Sequence, residues 1–525
     1  MKKAGLLAFR KTSESAFRKQ QLPPLEFAWS EMIAPERPEF RTLTTTDGFP
    51  IPGYLEPGQF FPIDLNGEGI PGLLYTDGQS VLYLEPEGDG KYKRPAVLPD
   101  FPINRNIGEG KVSIQDVDGN GHLELVVADE NKAGFYERVD GKAWQHFRPF
   151  LRYPTDYAHP QMENADLGGN GKSDLLLIGR NEISIYNSEG TTGYERLRTV
   201  LNENGIPIAG SRNPAELVSF ANIFGDGMAH RVRVTGNSVE CWPSLGYGNF
   251  GEQVTMGNPP DFGEQFDAAR LYFADIDGSG TADLIYVHPD RVEVYLNQSG
   301  NSFSAPVTIY LPAPFSALDQ INFADILGNG TSCLVFTKIT PTPVQYWYNF
   351  AGETPTESGN VTACIKPYLL CQIDNHLGSL TTIRYGSSTR YALEDKQKGR
   401  PWPTTLPFPV QVVEEISNHD SISGLHTTQR YSWHDGYYDS RDRAFRGFGY
   451  VESWDTESEE SGAGKTGSIS PVYTRSWFLT GAYAEYNTLL NQYRQEYFNK
   501  DTEALDFPRS FFDPDIYSHN DSTIR

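Results

Sequence analysis

Over residues 40–350 the chain alternates between apolar and polar positions in short runs that recur at a fixed interval. Leu271-Tyr-Phe-Ala-Asp alternates into a turn, Asp283-Leu-Ile-Tyr-Val leaves it, and Val292-Glu-Val-Tyr-Leu alternates again. A period of two predicts half-buried strands. The first two runs are joined by Asp-x-x-Gly-x-Gly, which begins at Asp64, Asp116, Asp166, Asp275 and Asp325, with Asn222 replacing the Asp once. The intervals are 52, 50, 56, 53 and 50 residues. An aromatic follows the leading Asp or Asn by 20 residues at Tyr136, Tyr186, Trp242 and Tyr295, by 19 at Tyr83 and by 22 at Trp347. A second follows by 28 residues at Tyr92, Trp144, Tyr194, Phe250 and Phe303.

Each repeat therefore predicts a strand, a Gly-rich hairpin, two further strands and a fourth after the second aromatic. Four short strands per ~50 residues is the unit of a β-propeller blade. The expectation is an all-β fold with a six-bladed β-propeller over 40–350. The sixth repeat has Glu353 where the second aromatic falls elsewhere, and Phe40-Arg-Thr-Leu stands ahead of the first repeat. Residues 40–44, anchored by Phe40, are expected to supply the last blade's missing strand and so close the ring. The glycines suit turns that need positive φ, and the leading Asp can bond the turn's own N–H groups.

Beyond the repeats the period vanishes while the strand pattern persists. Residues 1–39 read as an N-terminal extension, 351–362 as a linker, and 363–525 as a β-rich region with a polar, mobile loop near 455–470. Strands are expected within 377–394, at 410–413, 427–433 and 443–454, and one helix within 481–497. Exposed strands without a compact repeat predict an incomplete domain or one that docks onto more protein.

Composition narrows the function. The net charge is −24, with the first 50 residues contributing +2. Such a surface repels nucleic acid and anionic lipid, so neither is expected as a partner. The apolar run in MKKAGLLAFRKTSES is too short for a signal core, and no stretch reaches the ~18 apolar residues of a membrane span. Cys241, Cys333, Cys364 and Cys371 form no CxxC pair, so buried free thiols are expected rather than zinc. His434-Asp435 and His419-Asp420 are neighbours in strand-like sequence and would point to opposite faces. No GxSxG, HExxH or P-loop accompanies them, and no enzyme is expected.

Two turns carry more oxygen than a hairpin requires. Asp275, Asp277, Ser279 and Asp283 fall at positions 1, 3, 5 and 9, as do Asp116, Asp118, Asn120 and Glu124. Ca²⁺ takes six to eight oxygens, and a central Gly lets the chain wrap around it. Two readings stand here: Ca²⁺ loops, or solvated hairpin turns. The copies at Asn222 and Asp325 carry Phe224 and Leu327 at position 3 and make poor sites.

The run Tyr385-Gly-Ser-Ser-Thr-Arg-Tyr, then Gly399-Arg-Pro-Trp-Pro, Leu406-Pro-Phe-Pro-Val and Arg443-Ala-Phe-Arg-Gly-Phe-Gly-Tyr-Val-Glu resembles the middle region of the B component of bacterial insecticidal toxin complexes (Tc toxins). That family is related to the Salmonella virulence plasmid B protein. Phe273-Ala-Asp-Ile-Asp-Gly-Ser-Gly-Thr-Ala-Asp is similar to that family's propeller and to integrin-like (FG-GAP/VCBS) repeats. The resemblance covers about 40–500. It implies a secreted, non-enzymatic component whose propeller docks onto a channel-forming A component and gates cargo. Strands of an Rhs-type shell shared with a C component would follow. It also implies a truncated or split version, since most of the shell lies outside this length. The alternative is a Ca²⁺-dependent adhesion or glycan-binding propeller.

Overall fold

The structure is a computed structural model. It describes residues 2–497 except 14–15, 33–38, 52–59, 77–79, 103–111, 130–131, 140–142, 156, 158, 160, 210–212, 352–353, 356–360, 363–365, 462–464, 469 and 484. The repeats fold as the alternation predicts. Six antiparallel four-stranded sheets follow one another along the chain, called here the first to sixth blades. In the fifth, Leu271–Ala274, Asp283–Val287, Arg291–Tyr295 and Val307–Tyr310 pair in order. Its second strand is buried throughout because blades cover both its faces.

Neighbouring blades share hydrophobic clusters. Val232, Val234 and Cys241 of the fourth blade meet Leu271, Leu284 and Phe303 of the fifth. Another cluster joins the sixth to the first: Ala324, Val335 and Trp347 pack with Phe60, Leu73, Leu84 and Tyr92. The outer strand of the sixth blade is Arg41–Thr42, paired with Val344–Tyr348 (Tyr346 opposite Thr42, Trp347 opposite Arg41). The N-terminal segment thus supplies that strand.

The expected count of six is corrected. The ring region holds a seventh sheet of three strands: Thr44–Thr45, Pro86–Gly88 and Lys91–Tyr92. Counted by sheets of three strands or more, the arrangement is seven-bladed, not six; the hairpin Arg138–Val139 with Ala143–Trp144 stays two-stranded. The extra sheet arises because the first blade's third and fourth strands are joined by a hairpin long enough to pair. Its return strand lies parallel to Thr44–Thr45, just after the closing strand. It has no Asp-x-x-Gly-x-Gly turn, so counting turns cannot find it.

The missing aromatic is also corrected. Phe350, only 25 residues after Asp325, is 1% exposed and fills the cluster between the fifth and sixth blades. Tyr92, Trp144, Tyr194, Phe250 and Phe303 fill the equivalent clusters of the other blades. Phe40 is half-buried and packs on Tyr348 at 5.2 Å between ring centroids.

The second half builds one nine-stranded sheet, and the N-terminal extension joins it. The order is Lys3–Ala4, Leu25–Trp29, Leu370–Asp374, Ser379–Ser387, Gln411–Asp420, Leu425–Asp439, Ala444–Ser461, Lys465–Ser468, with Val472–Trp477 also on Ala444–Ser461. Leu25–Trp29 and Leu370–Asp374 are adjacent antiparallel strands, and the ring lies in the chain between them. Ser30 fastens their base: its hydroxyl donates to the Lys366 carbonyl at 2.8 Å and accepts from the Leu369 N–H at 2.9 Å. Within 455–470, expected as a loop, the structure places the end of Ala444–Ser461 and its pairing with Lys465–Ser468. Most of the expected linker lies outside the described residues.

Two helices pack on this sheet. Tyr486–Glu496 falls where a helix was expected. Ser388–Gln397 lies where strand alternation had been read. Ser387 caps it by accepting from the Thr389 N–H, and Ala-Leu-Glu-Asp-Lys-Gln is strong helix-forming sequence. Among the described residues no helix is long and apolar enough to cross a membrane.

Candidate functional site

All six Asp-x-x-Gly-x-Gly turns join the first strand of a blade to its second, so antiparallel geometry puts them on one face of the ring. The hairpins joining second to third strands, such as 179–181, 236–238 and 288–290, are on the other. The leading Asp does what its position predicts. Asp116 accepts from the N–H groups of Gly119, Asn120 and Gly121 at 2.8–3.1 Å. Asp64, Asp166, Asp275 and Asp325 each accept from the second Gly. Asn222 keeps one such bond, from Gly225 at 2.9 Å.

The two oxygen-rich loops bring together their acids and leave out their neutral members. Carboxylate oxygens of Asp275, Asp277 and Asp283 lie within 4.8 Å of one another, as do those of Asp116, Asp118 and Glu124. Ser279 pairs its hydroxyl with Thr281 at 2.9 Å, and Asn120 accepts from the His122 N–H at 2.7 Å; both are exposed. Asp283 is fully buried between the N–H groups of Ile276 (2.9 Å) and Asn297 (2.7 Å). Burial, with the Asp277 charge beside it, pushes its carboxyl up to about 8. Burial likewise pushes Glu124 up to about 8.

A cation fits the Asp275 loop better than the Asp116 loop. Asp275 Oδ1 is a buried acceptor with no donor, whereas both Asp116 oxygens are engaged by N–H groups. The Asp275 loop nevertheless has a protein partner: Tyr368 donates its hydroxyl to Asp277 Oδ2 at 2.7 Å. The Lys366 amine also draws on Asp275, and the Lys366 chain lies against Gly278.

That contact is one of several the sequence reading missed. Residues of the second half cap turn after turn. At the Asp64 turn, Lys396 pairs with Glu68 and with Glu85, and the Leu406 N–H donates to the Gly67 carbonyl at 3.3 Å. The approach is so close that a Cβ at Gly69 would stand 2.9 Å from the Leu406 carbonyl oxygen. The 439–444 turn covers the Asp116 and Asp166 turns. Ser440 lies against Gly121, and Arg443 donates to the Gly169 carbonyl and pairs with Asp166 at 3.5 Å. At the Asp325 turn, Ser387 and Thr389 donate to the Gly328 carbonyl, and Gln411 donates to that of Asn329 at 2.8 Å. The turn face is therefore a seat for the rest of the chain. The available signal was the run of Lys, Arg and hydroxyl residues in turns of the second half, unreadable without knowing which face they meet.

The sheet is locked by a buried charge hub. Arg400 pairs with Asp435 (2.9 Å), Asp395 (3.3 Å) and Glu496 (2.5 Å), which ties both helices to the sheet. His434 pairs with Asp395 at 2.6 Å. The His434-Asp435 pair, 7% and 0% exposed, is thus packed and ion-paired within this hub. Asp435 has φ 54°, so it leaves the strand alternation and turns inward beside His434. Cys241 and Cys333 are buried free thiols and Cys371 is half-buried; Cys364 lies outside the described residues.

Comparison with known proteins follows this architecture. The family described as "Insecticide toxin TcdB middle/N-terminal region" matches residues 297–481. No curated protein matches the chain. A mutant Photorhabdus luminescens Tc holotoxin pore is similar over 95% of this chain and 23% of its own, at 30% identity and TM-score 0.80. TcdB2-TccC3-Cdc42 is similar over the same shares at 29% identity and TM-score 0.67. TcdB2-TccC3 without its hypervariable C-terminal region gives 29% and 0.66. The chain spans 23% of the length of each of these solved chains. In sequence and in fold it is homologous to the B component of the Tc insecticidal toxin complexes.

Proposed function

We propose that the ring docks onto a channel-forming A component and gates the passage of cargo. The nine-stranded sheet is the beginning of a shell completed with a C component. In this reading the chain is a non-enzymatic part of an extracellular toxin complex, and the A component meets the ring face opposite the turns. One observation carries it: the chain's own second half covers five of the six turns on the turn face, which leaves the opposite face for a partner. The test is capture of the full chain by a Tc A-component pentamer, in Ca²⁺ and in chelator. Binding in both conditions is expected. No binding by a chain shown to be folded would overturn the reading.

A Ca²⁺-dependent adhesion or glycan-binding ring is the second reading. It draws on the donorless Asp275 Oδ1 and the crowded acids around it. It requires a higher melting temperature in Ca²⁺ than in chelator, lost in Asp275→Asn. Coincident melting curves would remove it.

A further inference from the structure

The N-terminal extension is charged against the rest of the chain. Residues 1–25 hold six Lys or Arg and one acid, Glu14, a net of +5, so the other 500 residues carry −29. Leu7–Ser13 and Ala16–Gln21 pair antiparallel in a two-stranded sheet of their own. This hairpin continues the pair Lys3–Ala4 and Leu25–Trp29, with the Leu22 N–H donating to the Leu6 carbonyl at 3.3 Å. Leu25–Trp29 runs from it to Ser30, which is bonded to Lys366 beside the Asp275 turn. The hairpin therefore leaves the sheet at the end remote from the ring.

Its register sets like charges against each other. Arg10 stands directly opposite Arg18, and Lys11 and Lys19 follow them in sequence. All four are exposed. Residues directly opposite in an antiparallel pair have their Cβ atoms about 4.5–5.5 Å apart, and like charges there destabilise the pair. A two-stranded hairpin by itself is marginally stable in water. Leu6, Leu7 and Leu22, beside the cations, are 67%, 45% and 54% exposed. The hairpin thus combines charge repulsion with uncovered leucines, and an acidic polypeptide relieves both.

We propose that this hairpin is a docking surface for an Asp/Glu-rich segment of a second polypeptide, gripped between Arg10 and Arg18. A carboxylate between two planar guanidinium groups accepts paired N–H bonds from them, which turns their repulsion into attraction. Lys11 and Lys19 supply point charges for flanking acids, and the three leucines receive the segment's apolar side chains. A peptide is also the anion that the rest of the chain tolerates. The −29 carried elsewhere repels a nucleic acid duplex or an anionic bilayer, both of which extend far beyond the hairpin. A short segment stays within the hairpin's own field, which reaches ~10 Å at 0.1 M salt. This inference goes beyond the ring-docking reading and does not rest on it.

The test titrates the full chain with an oligoglutamate peptide and follows amide exchange over 5–22. A short DNA duplex and phosphatidylserine vesicles form parallel arms. The peptide is expected to slow exchange there about ten-fold, an effect that high salt removes, with less protection from duplex or vesicles. Arg10→Glu separates binding from folding. It sets opposite charges across the hairpin, so exchange in the free chain should slow, while the peptide binds about ten-fold or more weakly. Absence of protection by the peptide, or an unchanged affinity in Arg10→Glu, overturns the proposal. So does stronger protection by duplex or vesicles, which would make the occupant something other than a polypeptide. A free hairpin that Arg10→Glu does not stabilise shows that the arginines do not repel, and overturns it as well.

Discussion

Truncating Leu43 to Ala tests how the ring is closed. Leu43 follows the closing strand, its N–H donates to the Gln345 carbonyl at 3.0 Å, and it is 1% exposed in the cluster between the sixth and first blades. Removing a buried Leu side chain costs about 2–5 kcal/mol, the spread reflecting how far the cavity collapses. Its neighbours in the cluster, Trp347, Tyr92 and Ile51, are themselves 4% exposed or less and come from different segments. Collapse is limited there, so about 3 kcal/mol is expected. For a cooperative unit of ~300 residues that is a fall of about 5 °C in Tm. Phe40→Ala should cost less, about 1–2 kcal/mol, because Phe40 is only half-buried. The assay is urea unfolding followed by aromatic fluorescence, with Leu73→Ala in a central strand as the internal scale. If Leu73→Ala costs several kcal/mol while Leu43→Ala costs under ~0.5, the segment does not close the ring and the argument is refuted.

Further outcomes follow from the same contacts. Asp283 and Glu124 have carboxyls raised above their unfolded values, so the folded state holds protons that the unfolded state releases. In chelator, their contribution to stability is therefore present near pH 4 and is lost as pH rises towards about 8. Asp283→Asn should flatten that loss in pH-dependent melts, and an unchanged profile would contradict it. Arg400→Met leaves Asp435 buried without its cation and should cost about 3 kcal/mol, seen as faster amide exchange across Tyr486–Glu496. Tyr368→Phe removes one hydrogen bond to a buried carboxylate and should cost about 1–2 kcal/mol, read as earlier proteolysis between ring and sheet. Gly69→Ala adds a Cβ against backbone at positive φ, and should destabilise more than Gly227→Ala, whose Cβ meets nothing.

Much of the ring was legible because each blade writes the same two signals: alternation, and a Gly-rich turn led by Asp. The sheet formed by Thr44–Thr45, Pro86–Gly88 and Lys91–Tyr92 was not, because its hairpin, which recurs in other blades as Arg138 opposite Trp144 and Ser188 opposite Tyr194, becomes a three-stranded sheet only where Thr44–Thr45 joins it. Phe350 was overlooked for a related reason: a fixed spacing of 28 cannot register an aromatic that arrives after 25. The helix Ser388–Gln397 follows directly on a strand, so its Ser387 cap was hidden inside an alternating run. For the site, local chemistry pointed to two groups of acids whose carboxylates the structure brings within 4.8 Å of one another. It could not show that Tyr368 reaches Asp277, since that contact joins residues 91 apart and depends on which ring face the sheet covers.

The position of the ring between two adjacent strands has a mechanical consequence. Leu25–Trp29 and Leu370–Asp374 form what is topologically a hairpin, with the whole ring as its connection, clasped at the base by Ser30. A body hung on two neighbouring cords cannot swing as one on a single tether does, so torque on the ring passes straight into the sheet. The same arrangement makes the ring a cassette. Exchanging the span between Ser30 and Lys366 for a tight turn should leave the hairpin intact, and a ring of different specificity could be fitted there without redrawing the sheet.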